Sequence, residues 1–390
     1  MGSIRRVVCG MSGGVDSAVA ALLLKKKGYE VVGLFMKNWD VTDEKGLCSA
    51  DTDLQDAEFV CSRLGIKLHQ VNFVKEYWHH VFSEMVRDYQ KGVTPNPDIM
   101  CNKHIKFDAF FKHATENLEA DAIATGHYAR TSVDFDLDHV DPNEGVKLLK
   151  AVDSVKDQTF FLSQIPQQAL QRSLFPVGEL RKDLVKRIAT EAGLEKIAKR
   201  KESMGICFIG SRQFQQFIGE YAGPEPGHFV DVETGQVVGQ HKGMHYWTLG
   251  QRANISGLRR AYFIAEKNTA TNDILLASGT DHPALFCQTL FTEAPHWIGK
   301  APQAFMVQQM VDLDFRFQHK HPVVPCTATL SGGNSLIVSL SQRMRAITPG
   351  QYAVFYHQDE CLGSAKIIRT GPSLFTLSYG ERVKNASEFS

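Results

Sequence analysis

The chain has 390 residues, 43% hydrophobic and 22% charged, which suffices for a buried core and excludes wholesale disorder. Lysine plus arginine equals aspartate plus glutamate at 43 each, so any grip on nucleic acid must be local rather than chain-wide. No apolar run approaches the ~18 residues of a membrane span, and eight cysteines without a C-x-x-C pair exclude a disulfide scaffold and a zinc ribbon.

The first residues lead straight into an apolar strand. Neither a signal peptide nor a long transit peptide is expected, and Arg6 breaks the myristoylation pattern. Residues 5–11 form that strand. Ser17 to Lys27 reads as a helix with lysines at its C-terminal end, where the macrodipole favours them, and Gly28 stops it. Between them lies Ser12-Gly13-Gly14-Val15-Asp16-Ser17. A glycine-rich turn that follows a strand and opens a helix presents backbone N–H groups as an anion nest. Ser12 and Ser17 can donate hydroxyls to phosphate, and Asp16 is a candidate magnesium ligand through ATP. The spacing is not that of a Walker A loop, whose lysine is missing, and an ordinary capped turn is the competing reading.

Strands over 30–36 and 66–73 alternate with helices over 51–64 and 75–91, and a helix over 102–118 precedes a strand over 121–129. Such alternation implies a parallel α/β sheet. Met36 ends the second strand, where it can pack on adenine or simply fill the core. Gly126 and His127 fall at a carboxyl strand end, where open α/β sheets bind ligands. Residues 132–145 read as a loop or hairpin insertion, and 157–192 as helical with a break near Phe175-Pro176. Beyond Pro224, short β-branched runs separated by glycine and proline suggest a small β-barrel, with strands such as 327–330, 335–340 and 352–357. Three basic stretches, Lys25-Lys26-Lys27, residues 181–201 and Arg259-Arg260, are local candidates for RNA contact or plain solvated faces.

Two cysteine strings complete the set. In Thr94-Pro95-Asn96-Pro97-Asp98-Ile99-Met100-Cys101-Asn102, two prolines stiffen a loop before a helix. Cys101 then falls near the helix N-terminus, where the dipole favours thiolate, and Asp98 is placed to handle a proton. Glu202-Ser203-Met204-Gly205-Ile206-Cys207-Phe208-Ile209-Gly210 is glycine-flanked and suits a catalytic loop. Either cysteine alone is also compatible with an inert buried thiol.

The S-G-G-x-D-S string resembles the PP-loop of the ATP pyrophosphatase superfamily, and with both cysteine strings the chain closely resembles the tRNA-specific 2-thiouridylase family, with a texture at 102–107 that leans to its mitochondrial branch. The resemblance implies a PP-loop domain over 1–215, a small tRNA-contacting central domain over 216–285 and a C-terminal β-barrel over 286–390. It implies ATP binding by Gly10, Met11, Ser12, Gly13, Gly14, Val15, Asp16, Ser17, Met36 and Gly126. It implies a persulfide on Cys207, resolution by Cys101 with a disulfide left between them, and acid/base work by Asp98. Asn96, Pro97 and Asp98 would meet the target base. His127, Lys156, Asp157, Gln158, Arg316 and Gln351 would contact tRNA. The partners implied are the tRNA anticodon loop with its wobble uridine and a persulfide sulfur donor protein. The location implied is the mitochondrion, or the cytoplasm of a bacterium. Three alternatives stay open: a PP-loop synthetase acting on a small molecule, a non-catalytic RNA-binding protein, and an iron–sulfur cluster held by Cys101, Cys207 and Asp98.

Overall fold

The computed structural model describes residues 6–39, 49–137, 140, 145–201, 214–255, 257 and 260–378. Its first sheet is parallel throughout, in the order Lys67–Asn72, Glu30–Lys37, Arg6–Gly10, Ala122–Ala124, Ser173–Leu174. Val7, Val8 and Cys9 are fully buried, as expected of a central strand with helices on both faces. From the central strand Arg6–Gly10 the chain first builds outward on one side. It then returns through the long helical stretch to Ala122–Ala124 on the other side. The loops after these two adjacent strands therefore diverge and open a crevice, the switch point at which such sheets bind ligands.

Three sequence expectations are corrected here. The strand expected over 121–129 is only Ala122–Ala124, because Gly126 turns the chain against the first helix. The helix expected from 102 begins at Pro97, capped by the Asn96 side chain, which accepts from Ile99 N at 3.2 Å, and Pro97 sits at the first helical position that tolerates it. Helical structure continues through a π-turn at Asn102–Ala109, where Phe107 departs from helical angles, to Phe110–Asn117. Cys101 thus lies a full turn inside the helix, where the dipole is weaker than at its end. Finally, the helical stretch expected over 157–192 contains the edge strand Ser173–Leu174, paired with Ile123 and Ala124.

Ile105, Phe107 and Phe110 are buried at 0–1% exposure on the sheet-facing side of the cysteine-bearing helix. Burying a side chain of this size contributes about 1.5–3 kcal/mol, so this helix is firmly seated.

The second sheet has the order Arg252–Ala253, Tyr262–Asn268, Asp273–Ser278, Gly227–Asp231, Val237–His241. The third is a barrel of six strands: Phe286–Thr292, Leu336–Arg345, Val324–Leu330, Met310–Arg316, Tyr352–His357 and Glu360–Thr370. Pairing of the last with the first closes it. Leu148–Leu149 and Arg130–Thr131, the arms of the hairpin expected around 132–145, add to the outer edge of Glu360–Thr370. The nucleotide-binding fold and the barrel therefore share one hydrogen-bonded ladder. No described helix is long and apolar enough to cross a membrane.

Candidate active site

The loop after the first strand is held by hydrogen bonds to the sheet and within itself. Met11 N donates to Leu34 O at 2.9 Å, so the loop starts in register with the sheet. Met11 and Val15 are buried, and with Gly10 they offer backbone only. Ser17 Oγ donates to Gly14 O at 3.0 Å and accepts from Ser12 N at 3.3 Å, and Ser12 Oγ accepts from Gly14 N at 3.4 Å. Gly13 has φ +73°, and a Cβ there would collide with the Asp53 carbonyl. The Met36 methyl lies over Gly10, 3.5 Å from where a Cβ would sit. Across the switch point, a Cβ on Gly126 would come within 2.6 Å of Ser17 N, so only glycine lets the two loops meet.

Asp16 is the charged centre of this cradle. Lys182 Nζ lies 2.8 Å from both of its carboxylate oxygens, and Tyr128 OH donates to Oδ1 at 2.8 Å. Tyr128 is fixed in turn by Gln158, whose Oε1 accepts from Tyr128 N at 2.9 Å and whose N–H donates to Tyr128 O at 2.8 Å. Lys182 opens the helix Lys182–Glu191, and Asp153 Oδ2 accepts its N–H at 3.0 Å. Sequence reading missed Lys182 and Tyr128. The available signal was the basic stretch 181–201: most of its basic side chains are exposed to solvent, but Lys182 turns inward to Asp16. Besides Lys182 it brings Arg200, which donates to Gly13 O at 3.5 Å, pairs with Asp56 at 2.9 Å and also pairs with Asp53. Asp16 with nucleotide phosphates is a hard-oxygen donor set of the kind magnesium takes, once Lys182 yields the carboxylate.

On the neighbouring wall, Cys101 is 9% exposed, the most accessible of the six cysteines described. Cys9, Cys61, Cys287 and Cys326 are deeply buried, and desolvation pushes their thiols up to about 12, 11, 11 and 12. Asp98 is open to solvent yet surrounded by protein mass. That desolvation raises its carboxyl above the usual range, and Lys106 pulls it partly back. Lys106 Nζ lies 3.3 Å from His127 Nε2, and His127 Nδ1 lies 2.8 Å from Thr125 Oγ1. Burial, then Lys106, holds His127 well below its ordinary pKa, so it is neutral. Its Nε2 accepts from the ammonium and its Nδ1–H donates to Thr125. One lysine thus joins the Asp98–Cys101 helix to the rim of the nucleotide cradle.

The other sequence-derived positions fall in three places. Asn96 meets Gln351: its Nδ2 donates to Gln351 Oε1 at 3.0 Å, and Gln351 Nε2 donates to Thr94 O at 3.0 Å and Pro95 O at 2.8 Å. Asp157 and Arg316 pair at 3.4 Å with side chains 3% and 12% exposed, and Asp157 also accepts from Ala151 N and Thr159 Oγ1. Lys156 is half-buried beside them, while Pro97 and His127 are buried. Cys207 lies outside the described residues. The described chain approaches its segment from Arg200, at the phosphate loop, and resumes at Phe214, packed 5.2 Å from Tyr89.

A parallel sheet whose glycine-rich loop and helix face a second glycine across the switch point defines an α/β nucleotide-binding enzyme of the PP-loop type. Family models match accordingly: tRNA methyl transferase HUP domain over 5–211, tRNA methyl transferase PRC-barrel domain over 215–278, and aminomethyltransferase beta-barrel domain over 287–367. The chain is 53% identical to the human mitochondrial tRNA-specific 2-thiouridylase 1, covering 98% of this chain and 94% of that protein. It is 51% identical to the Drosophila melanogaster protein of the same name, covering 95% of each. It is 42% identical to the Haemophilus influenzae tRNA-specific 2-thiouridylase MnmA, covering 93% of each. The chain belongs to the tRNA-specific 2-thiouridylase family.

Proposed function

We propose that this chain binds ATP in the Ser12–Ser17 cradle and uses it to replace the 2-oxygen of the tRNA wobble uridine with sulfur. The observation that carries the reading is Lys106, which contacts His127 beside the cradle and acts on Asp98 beside Cys101, so that nucleotide and thiol serve one chamber. A small-molecule synthetase is not favoured, because full-length relatives are named for tRNA thiolation. By the same names we place the protein in the mitochondrion. Domain boundaries near 215 and 285 fit this assignment.

In the proposed reaction, the uridine 2-oxygen attacks the α-phosphorus, the bond to the β-phosphate oxygen breaks, and pyrophosphate leaves. Backbone N–H groups of Gly13 and Gly14, the helix N-terminus and Lys182 face the charge that develops. Lys182 supplies the cation that a Walker A loop carries within itself. Magnesium held by Asp16 would add charge neutralisation at the phosphates. The terminal sulfur of a Cys207 persulfide, loaded by a donor protein, then attacks the activated carbon and AMP departs with the oxygen. Cys101 attacks the inner sulfur of Cys207, giving a Cys101–Cys207 disulfide that a thiol reductant must reopen. Asp98 handles the proton. The target base meets Asn96, Pro97 and Asp98, while His127, Lys156, Asp157, Gln158, Arg316 and Gln351 shape the tRNA-facing wall. An anticodon loop presents an unstacked base at small cost.

Mass spectrometry of tRNA nucleosides after incubation with ATP, Mg²⁺ and a sulfur source tests the reading. 2-Thiouridine is expected from the wild type. Cys101→Ser and Cys207→Ser should abolish it while pyrophosphate release persists. No 2-thiouridine from the wild type would defeat the proposal. An anaerobic absorbance spectrum separates persulfide chemistry from an iron–sulfur cluster.

A further inference from the structure

A cavity of about 580 Å³ lies where the three sheets meet. Its walls include Lys91 and Thr94 from the helical wall of the first fold, Leu249 and Lys267 from the second sheet, and Phe286 and Arg369 from the barrel. The volume lies within the ~300–1,000 Å³ of typical ligand pockets. The charge on its walls is unbalanced: Lys91, Lys267 and Arg369 against Glu266. The only polar partner of the Lys267 ammonium among the described residues is Gly92 O at 2.9 Å, and no described carboxylate lies within ion-pair distance of it. Burial alone lowers Lys267 to about 8, with no acidic group raising it. A half-buried cation without a counter-ion is costly, and an anionic ligand removes that cost. Arg369, exposed at the cavity's edge, stacks over the Phe291 ring at 3.6 Å with no carboxylate partner among the described residues.

The cavity adjoins the base-reading loop. Thr94, on its wall, is two residues from Asn96. Pro349, also on the wall, accepts from Thr94 N at 3.1 Å, and Gln351 holds Thr94 and Pro95 from the same turn. Leu249, Phe286, Ile347 and Pro349 give the cavity an apolar side. A cavity lined by both apolar side chains and cations suits a nucleotide, whose base takes the former and whose phosphate takes the latter.

We propose that this three-way cavity is a subsite for the RNA nucleotide next to the target uridine, with Lys267 and Arg369 as its phosphate contacts. The proposal rests on the reading that Asn96–Asp98 receive that uridine.

The test uses the full-length protein and an anticodon stem–loop RNA, with affinity followed by fluorescence anisotropy across salt concentrations. Lys267→Met should weaken binding about tenfold and reduce the salt slope by about 1, the signature of one lost phosphate contact. Replacing one flanking phosphate with a neutral methylphosphonate, each of the two in turn, should weaken wild-type binding similarly. At the correct linkage, Lys267→Met should cause no further loss. Thr376→Trp, which fills the cavity from its rim without removing Lys267, should also weaken binding. Unchanged affinity and slope in Lys267→Met would overturn the subsite. So would an undiminished Lys267→Met effect on both neutral-linkage RNAs, which would mark Lys267 as a structural partner of Gly92 only. Pyrophosphate release with tRNA, measured alongside, separates the two failures: its absence in the wild type defeats the functional reading, its presence with unaltered Lys267→Met binding defeats the subsite alone.

Discussion

The side chains of Asn96 and Gln351, 255 residues apart in sequence, are hydrogen-bonded to each other at 3.0 Å. Gln351 accepts this bond through Oε1 and gives its two amide hydrogens to Thr94 O and Pro95 O, so a barrel turn fixes the loop assigned to the target base. Three neutral hydrogen bonds are worth about 0.5–1.5 kcal/mol each. Gln351→Ala should therefore slow pyrophosphate release at saturating tRNA about tenfold, since a loosened loop misplaces the reacting atom. Steady-state kinetics should show the larger change in kcat; a change confined to KM would mark Gln351 as a tRNA contact only.

Lys182 pairs with both carboxylate oxygens of Asp16, and in the proposed reaction it also meets phosphate. Lys182→Met should weaken ATP binding by about 10- to 100-fold, the scale of a charge-assisted hydrogen bond. Calorimetric titration should show this loss persisting in an Asp16→Asn background. If the double variant binds ATP as Asp16→Asn does, Lys182 serves Asp16 alone.

The Asp98 carboxyl is raised by desolvation and lowered by Lys106. Lys106→Met removes the lowering influence, so the acid limb of the pH–rate profile should move to higher pH. Stability has the opposite relation to function here. A carboxyl whose folded pKa exceeds its unfolded value binds more protons in the native state, so stability falls as pH rises through that interval. Asp98→Asn should abolish turnover yet raise the melting temperature at neutral pH, and a lowered one would contradict the assigned shift.

The Asp157–Arg316 pair ties the first fold to the barrel with both side chains largely buried. Removing one member of a buried pair costs about 3–5 kcal/mol. Asp157 also accepts from Ala151 N and Thr159 Oγ1, so Asp157→Ala should lower the melting temperature more than Arg316→Met. Equal shifts in calorimetry would show that the ion pair dominates those other bonds.

Much of this molecule was legible in its residues, wherever a local pattern had a local cause. The strand–glycine loop–helix at 6–26 and the barrel runs are such cases. The strand Ser173–Leu174 was hidden because two residues carry no periodicity and owe their conformation to pairing with Ile123 and Ala124. Lys182 was hidden for a similar reason: its partner Asp16 is 166 residues away, and only the packing of Lys182–Glu191 on the first helix joins them. The start of the cysteine-bearing helix is hidden because Pro97 reads equally as a stiffener of the loop, whereas at the first helical position proline begins the helix.

The hairpin arms Arg130–Thr131 and Leu148–Leu149, laced onto the barrel's last strand, fix how this enzyme meets a large substrate. An arm on a flexible tether could fold around its cargo; a workpiece clamped in a finished jig must itself deform. On the proposed function, the adjustment on encounter falls on the anticodon loop. Cutting the barrel free would bare an unpaired strand edge and yield a sticky fragment rather than a portable module.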